Sequence, residues 1–382
     1  MKKTKKDLFQ DFLLTIVRPF THVWMFFDMR VTINKDKRIN YKTKEPYVML
    51  ANHTYLFDVV QVPMRFKVAS FIVASRTLFT HQPTKFLFTH VAHIIPKSKG
   101  LSDLVTARGL IRAVKRGYPI LIFPEGNTTF YGSTKYIEES TMKLIKKLKV
   151  DVITCNVKGG FLSKPRWATG KRKNRRAELN YNLTIPKEEL TNMSVKEIQI
   201  RIHKALANND YEYQRKAMVK HPGKKLAEGL ENAIYVCPEC EAVNSLTTKG
   251  NTFECTHCHT EGYMDEYGFL HGFKFDNLLD WDEFQRGFKV KLEESVIESS
   301  GFLDFLRFED DARIPVGRVN LVYKERGFHF SGAIDEVVDI KDIRNPVMTL
   351  RRDLSFDYGD RHFIIKLDRF GASLLRVAQN KY

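Results

Sequence analysis

Asn52-His53-Thr54-Tyr55-Leu56-Phe57-Asp58 and Phe123-Pro124-Glu125-Gly126-Asn127-Thr128 are the two strings on which the reading of this 382-residue chain turns. The first sets a histidine five residues ahead of an aspartate. On one continuous helix five residues rotate by about 140°, which would point the two side chains apart. His53 is therefore expected in a loop, with Asp58 in the first turn of a helix, where the macrodipole favours an anion. Tyr47-Val48-Met49-Leu50, just before the loop, reads as a short buried strand. The second string follows Tyr118 to Phe123, an apolar run suited to a central strand, which Pro124-Glu125-Gly126 breaks. Ligands of open α/β sheets sit at the carboxyl ends of strands, so both strings are expected at one sheet edge. A carboxylate that holds one imidazole nitrogen fixes the tautomer and steadies the imidazolium, which makes the other nitrogen a useful general base. Glu125 is expected to hold an acceptor hydroxyl or a cation, and Gly126 to let the backbone approach closely. His271 to Asp276 repeats the spacing without a preceding strand of this kind or a partner string, and reads as structural.

These residues resemble the lysophosphatidic acid and glycerol-phosphate acyltransferases, over roughly residues 1 to 232. The family's Asn-His-X4-Asp motif is matched by Asn52, His53 and Asp58, and its Phe-Pro-Glu-Gly motif by Phe123 to Gly126. Ile94-Ile95-Pro96-Lys97 looks like the intervening motif, which normally ends in arginine, and Val150 to Gly160 like the fourth, without its usual proline. The resemblance implies transfer of a fatty acyl group from acyl-CoA or acyl-carrier protein to the hydroxyl of a lysophospholipid. His53 would be the general base, Asp58 its orienter, and Asn52, Glu125 and Gly126 part of the substrate site. Where the family commonly reads Glu-Gly-Thr-Arg, this chain has Asn127 and Thr128. Lys97, Arg76 and Lys135 are the candidates to meet an acceptor phosphate in place of that arginine, since lysine serves phosphate as a point charge. A neutral or zwitterionic acceptor is the other option.

The charge is uneven. Residues 1 to 230 hold 43 Lys and Arg against 18 Asp and Glu, while the remainder holds 19 against 27, giving +25 and −8 within the total of +17. The basic half carries both strings, which suits anionic lipid head groups and the phosphates of coenzyme A. Lys2, Lys3, Lys5 and Lys6 precede Leu8, Phe9, Phe12, Leu13, Ile16 and Val17, which form one helical apolar stripe that Arg18-Pro19 interrupts. No uncharged run approaches the roughly 20 residues needed to span a bilayer. Residues 7 to 27 are accordingly expected to lie as helices in the membrane interface, which places the protein peripherally on the cytoplasmic face. A second basic run, Lys164-Pro165-Arg166 and then Lys171 to Arg176, flanks Trp167, which with Phe161 is expected to be available for lipid contact, nucleic acid being the lesser option.

Strands alternate with helices through this half. The helix after Ser102 is expected to bury Leu104, Val105, Ile111 and Val114; 136 to 148 reads as helix, and Val150 to Val157 and Glu178 to Leu183 as strands. Ser194-Val195-Lys196-Glu197 is a capping box. The fold class is α/β, with a mostly parallel central sheet flanked by helices, as in glycerolipid acyltransferases. A zinc ribbon and a small β-rich C-terminal domain are appended. Cys237-Pro238-Glu239-Cys240 and Cys255-Thr256-His257-Cys258 supply four thiolates for a structural zinc, while Cys155 reads as a buried thiol. Between Val236 and Gly262 the only Lys or Arg is Lys249, set against four glutamates, so no nucleic-acid partner is expected of the ribbon. Short alternating segments beyond Asp276, closed by a helix through Leu374, Leu375 and Val377, faintly resemble a pleckstrin-homology or GRAM-type fold. The expected organisation is 1–30 interfacial helices, 31–232 acyltransferase domain, 233–272 zinc ribbon and 273–382 β domain. The rival reading is a non-catalytic zinc-ribbon protein that binds membranes or nucleic acid.

Overall fold

The computed structural model describes residues 2–75, 90–97, 103–134, 137, 139–307 and 312–379. The chain divides into two compact units, Met1–Ser163 with Asn174–Lys216, and Lys164–Lys173 with Ala217–Tyr382.

The first unit is built on a seven-stranded sheet: β1 (Arg30–Asn34), β2 (Val48–Ala51), β3 (Phe71–Ser75), β4 (Ile94–Lys97), β5 (Ile120–Ile122), β6 (Val152–Lys158) and β7 (Arg176–Ile185). The order is β1-β7-β6-β2-β5-β3-β4, and every neighbouring pair is parallel except β6 and β7. The short central strands are apolar throughout because both faces are covered. Val48, Leu50, Ile120 and Ile122 pack on helices through Leu110, Ala113, Met142, Ile145, Ile198 and Ile202. Met49, Ala51, Leu121 and Cys155 face the other way, into a cluster with Tyr47, Tyr55, Phe66 and Tyr181. Burial pushes the Cys155 thiol up, as its apolar strand position implies. The capping box forms as read: Ser194 accepts from the Glu197 N–H and Glu197 reaches back to Ser194, opening helix Val195–Leu206.

Three expectations are corrected. Pro19 does not divide the N-terminal segment; Lys5–Asp28 is one helix with Pro19 inside it. Thr15, whose carbonyl loses its helical partner, lies on an exposed turn that water can reach. In helix Asp103–Lys115 the buried face is Leu110, Ala113 and Val114, whereas Leu104 and Val105 are exposed at its start; Ser102 lies outside the described residues. Trp167 and Phe161 are both fully buried and present nothing to a membrane.

The N-terminal helix meets its own unit chiefly with its polar side, with Met25 the one buried apolar residue among those described. Asp7 and Gln10 are buried, Arg116 pairs with Asp7 at 3.2 Å, and Gln10 donates to the Ala92 carbonyl. Asp11 takes hydrogen bonds from Tyr118 at 2.7 Å and His93 at 2.8 Å. Burial alone would raise the Asp11 carboxyl, but bonds from Tyr118, His93 and Lys3 outweigh it and hold the group below its ordinary value. Arg18 donates to the carbonyls of Met64, Phe66 and Lys67. Leu8, Phe9, Phe12, Ile16, Phe20, Val23, Trp24, Phe26 and Phe27 are left exposed, Phe20 at 73% and Phe27 at 77%. An amphipathic helix on a soluble domain is ordinarily turned the other way. No helix among the described residues is long and apolar enough to cross a membrane.

The second unit holds two antiparallel sheets. The first pairs β8 (Leu246–Lys249), β9 (Thr252–Cys255), β10 (Glu261–Met264) and β11 (Leu270–His271) in the order β11-β10-β9-β8. The second comprises β12 (Ile297–Arg307), β13 (Ala312–Lys324), β14 (Gly327–Gly332), β15 (Glu336–Asp339), β16 (Arg344–Thr349), β17 (Asp353–Tyr358) and β18 (Arg361–Leu367). They run β15-β14-β13-β12-β18-β17-β16, and a terminal helix, Gly371–Gln379, buries Leu374 and Val377. Arg166, in the basic run, donates to the carbonyls of Met348 and Leu350, and burial brings its guanidinium down to about 9.

Candidate functional site

β2 and β5 pair in parallel with Val48 opposite Ile120 and Leu50 opposite Ile122, so their carboxyl ends coincide. The loops that follow, Asn52 to Phe57 and Phe123 to Thr128, therefore leave the sheet side by side. His53 is held by both: its N–H donates to Glu125 Oε1 at 2.9 Å, and its carbonyl accepts from the Thr129 N–H at 2.8 Å. Its ring lies over Phe123, with centroids 4.5 Å apart.

Asp58 opens the short helix Asp58–Gln61, and its side chain is fully buried. One carboxylate oxygen lies 2.8 Å from His53 Nδ1 and the other 3.0 Å. The second oxygen also accepts from the backbone N–H groups of Thr54 and Tyr55 at 2.8 and 3.3 Å, which fixes the carboxylate relative to the loop. An ionised Asp58 only accepts, so Nδ1 carries the proton and Nε2 is left as the basic nitrogen. None of the described residues hydrogen-bonds Nε2, and the His53 side chain is 14% exposed. The arrangement can take a proton from a hydroxyl brought to Nε2 and return it to a leaving group.

The other expected site residues fall differently. Asn52 is buried, and its amide is spent on the backbone of β6: Nδ2 donates to the Val157 carbonyl at 2.8 Å and Oδ1 accepts the Val157 N–H at 2.7 Å. It ties the end of β2 to β6. Glu125 holds the His53 main chain, a role that single-sequence reading missed because it depends on the pairing of β2 with β5. Gly126 has φ of +71°, the left-handed backbone that favours glycine, with open space where a Cβ would be. Lys97 ends β4 on the same sheet, and Arg76 and Lys135 lie outside the described residues. His271 bonds Asp265 at 2.9 Å, in keeping with a structural reading of the repeated spacing.

In the second unit, Cys237, Cys240, Cys255 and Cys258 bring four sulfurs within 4.8 Å of one another. Cys237 and Cys258 sulfurs are 3.9 Å apart, and Cys240 and Cys255 sulfurs 3.7 Å. Four thiolates tetrahedral about zinc at roughly 2.3 Å would stand about 3.8 Å apart, so the cluster fits that ion. The Thr260 hydroxyl and backbone N–H draw the Cys258 thiol down to about 6, toward the thiolate a metal requires, while burial pushes the Cys237 and Cys240 thiols up.

The Acyltransferase family model matches residues 30–158, about a third of the chain, from the start of β1 to the end of β6. Both strings lie inside the matched stretch. Among solved structures the chain is similar to a 1-acyl-sn-glycerophosphate (LPA) acyltransferase, PlsC, from Thermotoga maritima. The identity is 18% and the TM-score 0.40, over 54% of this chain and 83% of that one. No curated protein matches the sequence.

Asn52→Ala would leave the Val157 N–H and carbonyl buried without partners. Unfolding in urea is expected to show a loss of roughly 2 kcal/mol or more, while an unchanged midpoint would mean that Asn52 does not lock the two strands.

Proposed function

We propose that the protein is a membrane-surface O-acyltransferase that moves a fatty acyl group from acyl-CoA or acyl-carrier protein to the hydroxyl of a lysophospholipid. The observation that carries this reading is His53, with Nδ1 on Asp58, both backbone groups fastened, and Nε2 open. In the proposed reaction Nε2 removes the acceptor's hydroxyl proton as its oxygen attacks the thioester carbonyl. The tetrahedral intermediate collapses with cleavage of the carbon–sulfur bond, and the imidazolium returns the proton to the departing thiolate, giving ester and free thiol. Asp58 stabilises the imidazolium without taking the proton. Lys97, at the carboxyl end of β4, is our candidate for meeting charge on the acceptor, with Arg76 and Lys135 as further candidates.

The outward apolar side of the N-terminal helix supports docking on a bilayer, with Lys2, Lys3, Lys5 and Lys6 attracted to anionic head groups. We assign the four-cysteine cluster a structural zinc, which holds together a module too small to fold on its core alone.

Purified protein given labelled acyl-CoA and a panel of lysolipids is expected to yield one or more diacyl products by mass. His53→Ala should lose about 10² to 10⁴ in rate while keeping its circular dichroism; a variant with full turnover would remove His53 from the chemistry. Elemental analysis is expected to find one zinc per chain, lost together with thermal stability in Cys240→Ala, and a metal-free wild-type protein of normal stability would rule the assignment out. Replacing Phe20 and Phe27 by glutamate is expected to weaken sedimentation with anionic vesicles more than tenfold, because each buried Phe contributes roughly 1.5–3 kcal/mol. Equal sedimentation would show that this side of the helix does not enter the bilayer.

A further inference from the structure

Two basic segments about fifty residues apart in sequence come together in the second unit, Lys171 to Lys173 and Lys220 to Lys225. Between them lies a cleft of about 370 Å³, lined by Lys171, Lys173, Gly223, Lys224, Lys225 and Glu266 among others. The backbones that carry these lysines are pinned. The Lys173 N–H donates to the Pro222 carbonyl at 2.8 Å, and Arg172, buried, reaches the Leu226 carbonyl and the Met264 sulfur. Asn251 closes the other segment by accepting from the Leu226 N–H at 2.8 Å and donating to the Gly223 carbonyl at 3.1 Å. At Gly170 a Cβ would come within 2.2 Å of the Lys225 carbonyl oxygen, so the two segments touch directly.

The charges in this cleft are mostly uncompensated. Lys225 pairs with Glu228 at 3.0 Å, and Glu266 lies 3.8 Å from Lys220. Lys171, Lys173 and Lys224 make no ion pair among the described residues. Three like charges held at one opening repel one another unless an anion sits between them. Lysine meets phosphate as a point charge from several directions, and the opening has the volume of a small ligand site.

We propose that this cleft is a binding site for a compact ligand bearing clustered phosphates, distinct from the His53 centre in residues and in chemistry. Either a multiply phosphorylated lipid head group or a soluble polyphosphate compound offers that chemistry. Nucleic acid is disfavoured by the acidic ribbon that shares the unit, with Glu239, Glu241, Glu254 and Glu261 against Lys249.

The test uses the full chain, with inorganic tripolyphosphate followed by calorimetry. Sedimentation is followed with vesicles of phosphatidylcholine containing either phosphatidylserine or phosphatidylinositol bisphosphate at matched surface charge. K171Q/K173Q/K224Q is compared with wild type in both; all three side chains are exposed, so its circular dichroism and metal content should not change. Tripolyphosphate binding that weakens at least tenfold in the variant is the expected result. A preference for the bisphosphate vesicles that the variant loses assigns the lipid source, and tripolyphosphate binding without that preference assigns a soluble one. The proposal is overturned if wild type does not bind tripolyphosphate, if the variant binds it equally, or if duplex DNA is bound more tightly and the variant loses that binding.

Discussion

Everything at the His53 centre depends on the in-register parallel pairing of β2 with β5. Because Leu50 stands opposite Ile122, the chain leaves both strands at the same level, and the two loops can bond to each other. Glu125 then holds the His53 amide and Thr129 its carbonyl. The imidazole is thus aimed by main-chain bonds before Asp58 adds its own. A slip of one residue in either strand would exchange the faces of Val48 and Met49 and separate the loops, so the same apolar packing that stabilises the sheet also sets the histidine.

The helical angle made part of this legible in sequence: five residues cannot stay on one helical face, so a loop histidine and a helix-start aspartate were required, and both occur. The apolar runs at Val48 and Ile120 announced buried parallel strands, and the spacing of the four cysteines announced their cluster. What was not legible depends on partners distant in the chain. The amide of Asn52 could equally have faced a ligand, and only β6 shows that Val157 takes both of its polar atoms. The run from Lys164 to Arg176 reads as a surface open to lipid, yet Arg166 and Arg172 bond backbone carbonyls, and Trp167 is buried between them in sequence. Nor does local periodicity say which side of a helix faces home. The stripe through Phe12 and Phe20 was visible, but its outward direction follows from Asp7, Asp11 and Arg18 finding partners in Arg116, His93 and the Met64 to Lys67 turn.

The two units stabilise themselves by different means. The first encloses a double-faced sheet in apolar side chains, and buried polar groups such as Asp58 and Asn52 bond to backbone. In the ribbon segment of the second, four sulfurs converge within 4.8 Å, while Phe253 packs on Phe273 and Trp281.

The N-terminal helix separates two demands that usually compete. Its attachment is made chiefly of ion pairs and hydrogen bonds along one side, joined by the buried Met25 and by Trp24, whose ring meets Phe57 edge-on at 4.9 Å. Phe12, Phe20 and Phe27 lie outside those contacts, so on the proposed bilayer docking their number and size would set the adhesion at little cost to folding.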